Sequence, residues 1–152
     1  MSVMHTCEPI VVTHEGGLAF AAQVRSHRLI TDQSERAGGE DRGPSPTELI
    51  SAALGSCVAL YVHQFCVSRN LPHDGMRIEV TPHHAASPHR IAELSVAVSL
   101  PAILSPHMLE MLERVVRSCP VHNTLAHGAG VSVSIAAGTA EHANGQLLGP
   151  RR

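Results

Sequence analysis

The stretch from Thr47 to Arg69 constrains this chain most, because it reads as a helix with apolar side chains nearly all the way round. Leu49, Ile50, Ala53, Leu54, Val58, Leu60, Val62 and Phe65 leave no continuous polar face. Such a helix is normally central, with protein on every side. Its start is well marked. In Ser45-Pro46-Thr47-Glu48 the serine can cap, Pro46 fits the first helical position, and Glu48 stands three residues on, as in a capping box. Asn70 and Pro72 end it.

What surrounds that helix follows from shorter periodicities. Apolar bursts at Ile10–Val12, Leu18–Val24 and Leu29–Ile30, with Gly16-Gly17 between the first two, predict two or three strands of a meander. The run Ser34 to Pro46, charged and rich in Gly and Pro, predicts an exposed loop. Arg77–Val80 and Ile91–Leu100 read as strands, with His83 to His89 as the hairpin loop. Ser105-Pro106 opens an amphipathic second helix that stops near Cys119-Pro120, where a short third helix begins. Val131–Ala136 alternates as a last strand, and 139–152 reads as a loose tail. No internal repeat is visible. The sum is an α+β chain, sheet and helix packed in layers, with one domain over 1–138. Aromatic residues make up only 2% of the sequence. The core is therefore built from small aliphatic side chains, each burying little area, and a partner subunit is expected to complete it.

Composition narrows the function. The formal net charge is -2, so no strong field points to a nucleic-acid or membrane partner. All 11 basic residues other than His are Arg, which excludes lysine Schiff-base chemistry. Residues 1–12 lack the apolar core of a signal peptide, and no apolar run reaches the roughly 20 residues of a bilayer span. A cytoplasmic location is expected. There, four cysteines read as catalytic, metal-binding or inert rather than as a disulfide framework.

Two cysteines stand out. Cys57 lies in the middle of the central helix, where a free cysteine can equally be a small hydrophobe. Cys119 has a stronger local case: followed by Pro120, it would cap the third helix, where free N–H groups and the helix dipole favour a thiolate. His122 would lie over the same turn and add positive charge. Cys7 and Cys66 read as incidental. His63 and Cys66 share a helical face but are too few for a zinc site. His83, His84 and His89 read as solvated loop residues rather than as a metal cluster.

The segment GPSPTELISAALGSC, followed some sixty residues later by SCPVHNTL, resembles the OsmC/Ohr family, and within it the general OsmC-like branch. The likeness covers about residues 18 to 136. It implies an intertwined homodimer of antiparallel sheets packed with two long central helices, with active sites at the subunit interface. It also implies that Cys57 attacks a peroxide to give a sulfenic acid, and that Cys119 condenses with it to a disulfide reopened by an external dithiol reductant. No cofactor or metal is implied. The substrate expected in such apolar surroundings is a small hydrophobic organic hydroperoxide.

The family's peroxidases also use a Glu and an Arg, and here the sequence departs from the pattern. The Glu follows the motif proline directly, a place held by Thr47; Glu48 stands one residue later. Ten residues on a helix leave two side chains about 80° apart, and nine leave them about 180° apart. Glu48 is thus expected to face away from Cys57 and to serve as a cap. The Arg could be Arg36 or Arg42 in the loop before the helix, or Arg25 or Arg28 in the strands; Arg42 is nearest the helix start. Three functions follow: a thiol peroxidase using Cys57 and Cys119, a redox-responsive or ligand-binding homodimer with little turnover, and, more weakly, metal binding by Cys57, Cys119 and His122.

Overall fold

The computed structural model describes residues 7–137; residues 1–6 and 138 of the domain, and the tail assigned to 139–152, lie outside them. Strands β1 (Val11–His14), β2 (Phe20–Val24) and β3 (His27–Thr31) form an antiparallel meander in that order. Thr13 stands opposite Ala21 and Ala22 opposite Leu29. Gly16 and Gly17 make the first turn with φ of 95° and 57°, as a short antiparallel connection requires.

The loop that follows has more order than its composition suggests. Asp32, at the end of β3, is buried, and its carboxylate accepts the backbone N–H groups of Gln33 at 2.7 Å, Glu40 at 3.1 Å and Arg42 at 3.2 Å. A short 3-10 turn, Glu35–Ala37, lies within the loop. Two glycines let the chain close so tightly: a Cβ on Gly39 would run into the Gln33 carbonyl and the Asp32 carboxylate, and one on Gly43 into the Ile30 carbonyl. Burial disfavours the Asp32 charge, but the N–H groups of Arg42, Gln33 and Glu40 outweigh it and hold the pKa below its ordinary value.

Helix α1 spans Pro46–Ser68, 23 residues or about 35 Å. The capping box forms as read: the Ser45 hydroxyl accepts the Glu48 N–H at 3.3 Å, and the Glu48 carboxylate accepts the Ser45 N–H at 2.7 Å. Ser45→Ala should lower stability by about 1 kcal/mol, measured as a shift of the urea midpoint at unchanged slope.

After α1 come β4 (Arg77–Ala86) and β5 (His89–Ser99), which pair antiparallel as a separate two-stranded sheet. The hairpin loop expected over His83–His89 is thus a correction. His83 to Ala86 continue β4, and only Ser87-Pro88 form the turn, because the ladder runs on past a bulge at His83/His84 to pair Ala86 with His89. Helices α2 (Pro106–Arg117, capped by Ser105) and α3 (Pro120–His127) complete the described elements.

Leu54, Val58, Val62, Phe65 and Cys66 form one buried stripe on α1, against Leu112 of α2 and partly buried residues of the β4–β5 hairpin such as Ile78, Leu94 and Val98. Each such side chain contributes on the order of 1.5–3 kcal/mol when fully buried. Gly55 lets α1 approach β4, where an added Cβ would stand 3.1 Å from a Val80 methyl. The other flank of α1, including Ile50, Leu60 and Val67, is exposed within one chain. By length and composition α1 could cross a bilayer, but here it is the central helix of a folded α+β domain.

The strand expected over Val131–Ala136 does not form; the segment is irregular. Val131, Val133 and Ile135 are 87, 80 and 90% exposed. Alternation supplies a face, but a strand exists only where its N–H and C=O groups find a neighbour, and no described segment of this chain pairs with it.

Candidate functional site

Cys119 is the N-cap of α3, with Pro120 in the first turn, and its Sγ accepts the backbone N–H of His122 at 3.4 Å. The cap read from the sequence is therefore present, and the side chain is fully buried. Cys57 sits half-buried in the middle of α1. Residues 62 positions apart in the sequence meet where α3 docks on α1: burial pushes the Cys57 thiol pKa up, the adjacent Cys119 side chain pushes it further, and the backbone N–H of Val121 acts the other way. Both cysteines are free thiols. The start of α3 thus donates the His122 N–H to Cys119, while the Val121 N–H acts on Cys57 by lowering its pKa.

A cavity of about 530 Å³ lies between α1, β5 and α3, lined by Thr47, Ile50, Leu54, Arg90, His122 and Leu125 among others; Cys57 and Cys119 are not among its lining residues. Its α1 wall runs on toward Cys57, since Ile50 and Leu54 stand only about 20° and 60° from Cys57 around the helix. Apolar walls with a few polar groups are the usual make-up of a small-molecule site. Thr47, at the position where the resemblance implies a Glu, opens on this cavity.

The other residues singled out from the sequence are elsewhere. Glu48 is held by Ser45, whose backbone N–H and hydroxyl lower its pKa, and it faces solvent as a cap. Arg42 donates from its guanidinium to the Glu15 carbonyl at 3.0 Å, and Arg28 pairs with the Glu15 carboxylate at 2.6 Å. Arg25 occupies the β2–β3 turn with φ 54°, and Arg36 lies in the exposed 3-10 turn. None of these arginines is among the groups that act on the Cys57 thiol. Cys66 is buried in the core and raised by that burial. His63 packs edge-on against His73, with centroids 4.8 Å apart. Among the described residues no three His, Cys, Asp or Glu side chains gather as a metal site would require.

The family model for OsmC-like protein matches residues 38–134, a span that holds both thiols and the cavity. The chain belongs to the OsmC-like family. Solved structures share its fold. A protein from Psychrobacter arcticus 273-4, named for osmotic stress induction and a detoxification response, has TM-score 0.70 and 24% identity, over 80% of this chain and 90% of that one. An OsmC like protein from Mycoplasma pneumoniae gives 0.68 and 16%, over 81% and 89%. The organic hydroperoxide resistance protein OhrB of Bacillus subtilis gives 0.53 and 17%, over 77% and 90%. No curated protein matches the chain. Within this OsmC-like fold, sequence reading did not find Asp32, the Val121 N–H, or Arg90 and Glu93. Only Asp32 left a signal, as an Asp at a strand end before a turn.

Proposed function

We propose that this OsmC-like chain is a thiol-dependent peroxidase that reduces organic hydroperoxides as a cytoplasmic homodimer. The observation that carries the reading is the meeting of Cys57 and Cys119, on two different helices that also wall a largely apolar cavity. Cys57 Sγ attacks the hydroperoxide; the O–O bond breaks, the alcohol leaves, and Cys57 becomes a sulfenic acid. The Cys119 thiol then displaces water to form the disulfide, and an external dithiol restores both thiols. Several structures of this fold are named for organic hydroperoxide resistance, including that of Bacillus subtilis. Homodimerisation is supported by apolar surface that one chain leaves open: Ile10, Val12, Phe20 and Leu29 on the meander, Leu60 and Val67 on α1, and Val131 to Ile135. Such patches on a soluble domain mark interaction surfaces.

A second reading has its own support. Glu48 is committed to the cap, and the environment of Cys57 raises rather than lowers its pKa. Both features suit a redox-responsive or ligand-binding dimer that reacts once. The two readings separate when cumene hydroperoxide and dithiothreitol are supplied in large excess. Peroxidase function is expected to consume many equivalents per chain at a steady rate. Arrest after one equivalent would favour the responsive dimer, and no consumption at all would remove both the peroxidase and the redox-responsive readings and leave ligand binding.

A further inference from the structure

A second cavity, of about 450 Å³, lies between β5 and α2 and shares no lining residue with the one between α1, β5 and α3. Val96, Val98 and Leu100 line it from β5, and Leu109, Leu112 and Val116 from α2. Leu112 belongs to the buried core, whereas Val96 and Leu109 remain exposed. The volume falls within the range of about 300–1,000 Å³ that small-molecule sites occupy. Two charged side chains complete the lining, Glu113 and Arg117. They stand four residues apart on α2, acid before base, the arrangement in which such residues normally pair along a helix. Here they do not. Among the described residues the ion pairs join Arg28 to Glu15 and Arg77 to Glu79. An acid and a base thus line one apolar cavity without meeting each other.

We propose that this cavity binds a neutral aliphatic alcohol, its chain against the β5 and α2 walls and its hydroxyl between Glu113 and Arg117. A hydroxyl suits both side chains at once, because it donates to the carboxylate and accepts from the guanidinium. A carboxylate head has no hydrogen to give Glu113, and an ammonium head has no lone pair for Arg117. Each ion would also bring like charges together and leave its own hydration behind at apolar walls. At about 30 Å³ per water the cavity equals about fifteen waters in volume, room for a chain of about eight carbons. Each methylene that leaves water for such walls tightens binding about fourfold. Neither Cys57 nor Cys119 lines the cavity, so binding there needs neither thiol and stands apart from the peroxidase reading.

The test is calorimetric titration of the full chain, in its native assembly, with hexanol, octanol, octanoate and octylammonium at neutral pH. One octanol per chain is expected, bound about 10- to 15-fold more tightly than hexanol. Either octyl ion should bind at least about tenfold more weakly than octanol. Val96→Phe adds a ring at an already exposed wall position and should weaken octanol by at least about tenfold. Glu113→Lys should reverse the preference, so that octanoate binds more tightly than octanol; a gained affinity of this kind cannot arise from misfolding. Should that variant fail to fold, Arg117→Glu gives the mirror result, a preference for octylammonium. Cys57→Ser should leave octanol binding unchanged. Absence of octanol binding to wild type would overturn the proposal, the outcome expected if a second copy closes the cavity. Equal affinity for the three octyl heads, or octanol binding untouched by Val96→Phe, would overturn it as well.

Discussion

Cys57→Ser is expected to abolish turnover of cumene hydroperoxide, by at least about a thousandfold, or ~4 kcal/mol of barrier. A serine hydroxyl keeps the volume and much of the hydrogen bonding of the thiol, but it is neither appreciably ionised nor able to accept an oxygen atom. Cys119→Ser should behave differently. It leaves the attacking sulfur in place, so one equivalent of alcohol should still appear in a burst. The sulfenic acid then has no thiol beside it and should pass on to sulfinic acid under excess peroxide. Intact-mass measurement after the burst separates the states by one added oxygen or two. A burst that survives Cys57→Ser and disappears with Cys119→Ser would reverse the two roles.

The pH dependence of the burst carries further information. Burial and the neighbouring Cys119 hold the Cys57 pKa above its ordinary value, so less thiolate is present at neutral pH than for a free cysteine. The burst rate should therefore keep rising with pH past about 8.5, where an unperturbed thiol begins to level off. A plateau at lower pH would mean that a cation reaches Cys57 in the assembled dimer, overriding the environment that one chain provides.

Much of this site could be read before any coordinates. Pro120 after Cys119 and Glu48 after Ser45 are local signals, and both caps form as their spacing implies, because capping depends on a few adjacent residues. The angular separation of Glu48 from Cys57 is likewise a property of one helix. What stayed hidden depends on contacts between distant segments. An Asp at a strand end signals a turn, but not that its carboxylate would reach the N–H groups of Glu40 and Arg42, eight and ten residues on, and Arg90 and Glu93 line the cavity only because β5 borders it together with α1 and α3. The strand expected at Val131–Ala136 failed for the related reason that its alternation describes a face and not a neighbour.

Phe65→Ala is expected to have the largest effect on stability, about 3–5 kcal/mol. Phe65 is the one aromatic side chain in the core stripe, 2% exposed, and it lies eight residues after Cys57 on the same helix. The other buried members of its cluster are Leu, Val and Cys, none of which matches the volume that the ring would leave. Arg69 places its guanidinium over the ring at 4.0 Å from the centroid, but this exposed contact is worth only about 0.5–1 kcal/mol. Arg69→Ala should therefore cost a fraction of what Phe65→Ala does, and Phe65→Leu should fall between them. For a chain of this length the Phe65→Ala loss corresponds to a drop in melting temperature of roughly 6–20 °C, read at fixed protein concentration because assembly would add to the apparent stability. A drop no larger than that of Arg69→Ala would mean that the α1–α2 contact is not where the fold is held, and that the partner's cover on the open flank of α1 dominates instead.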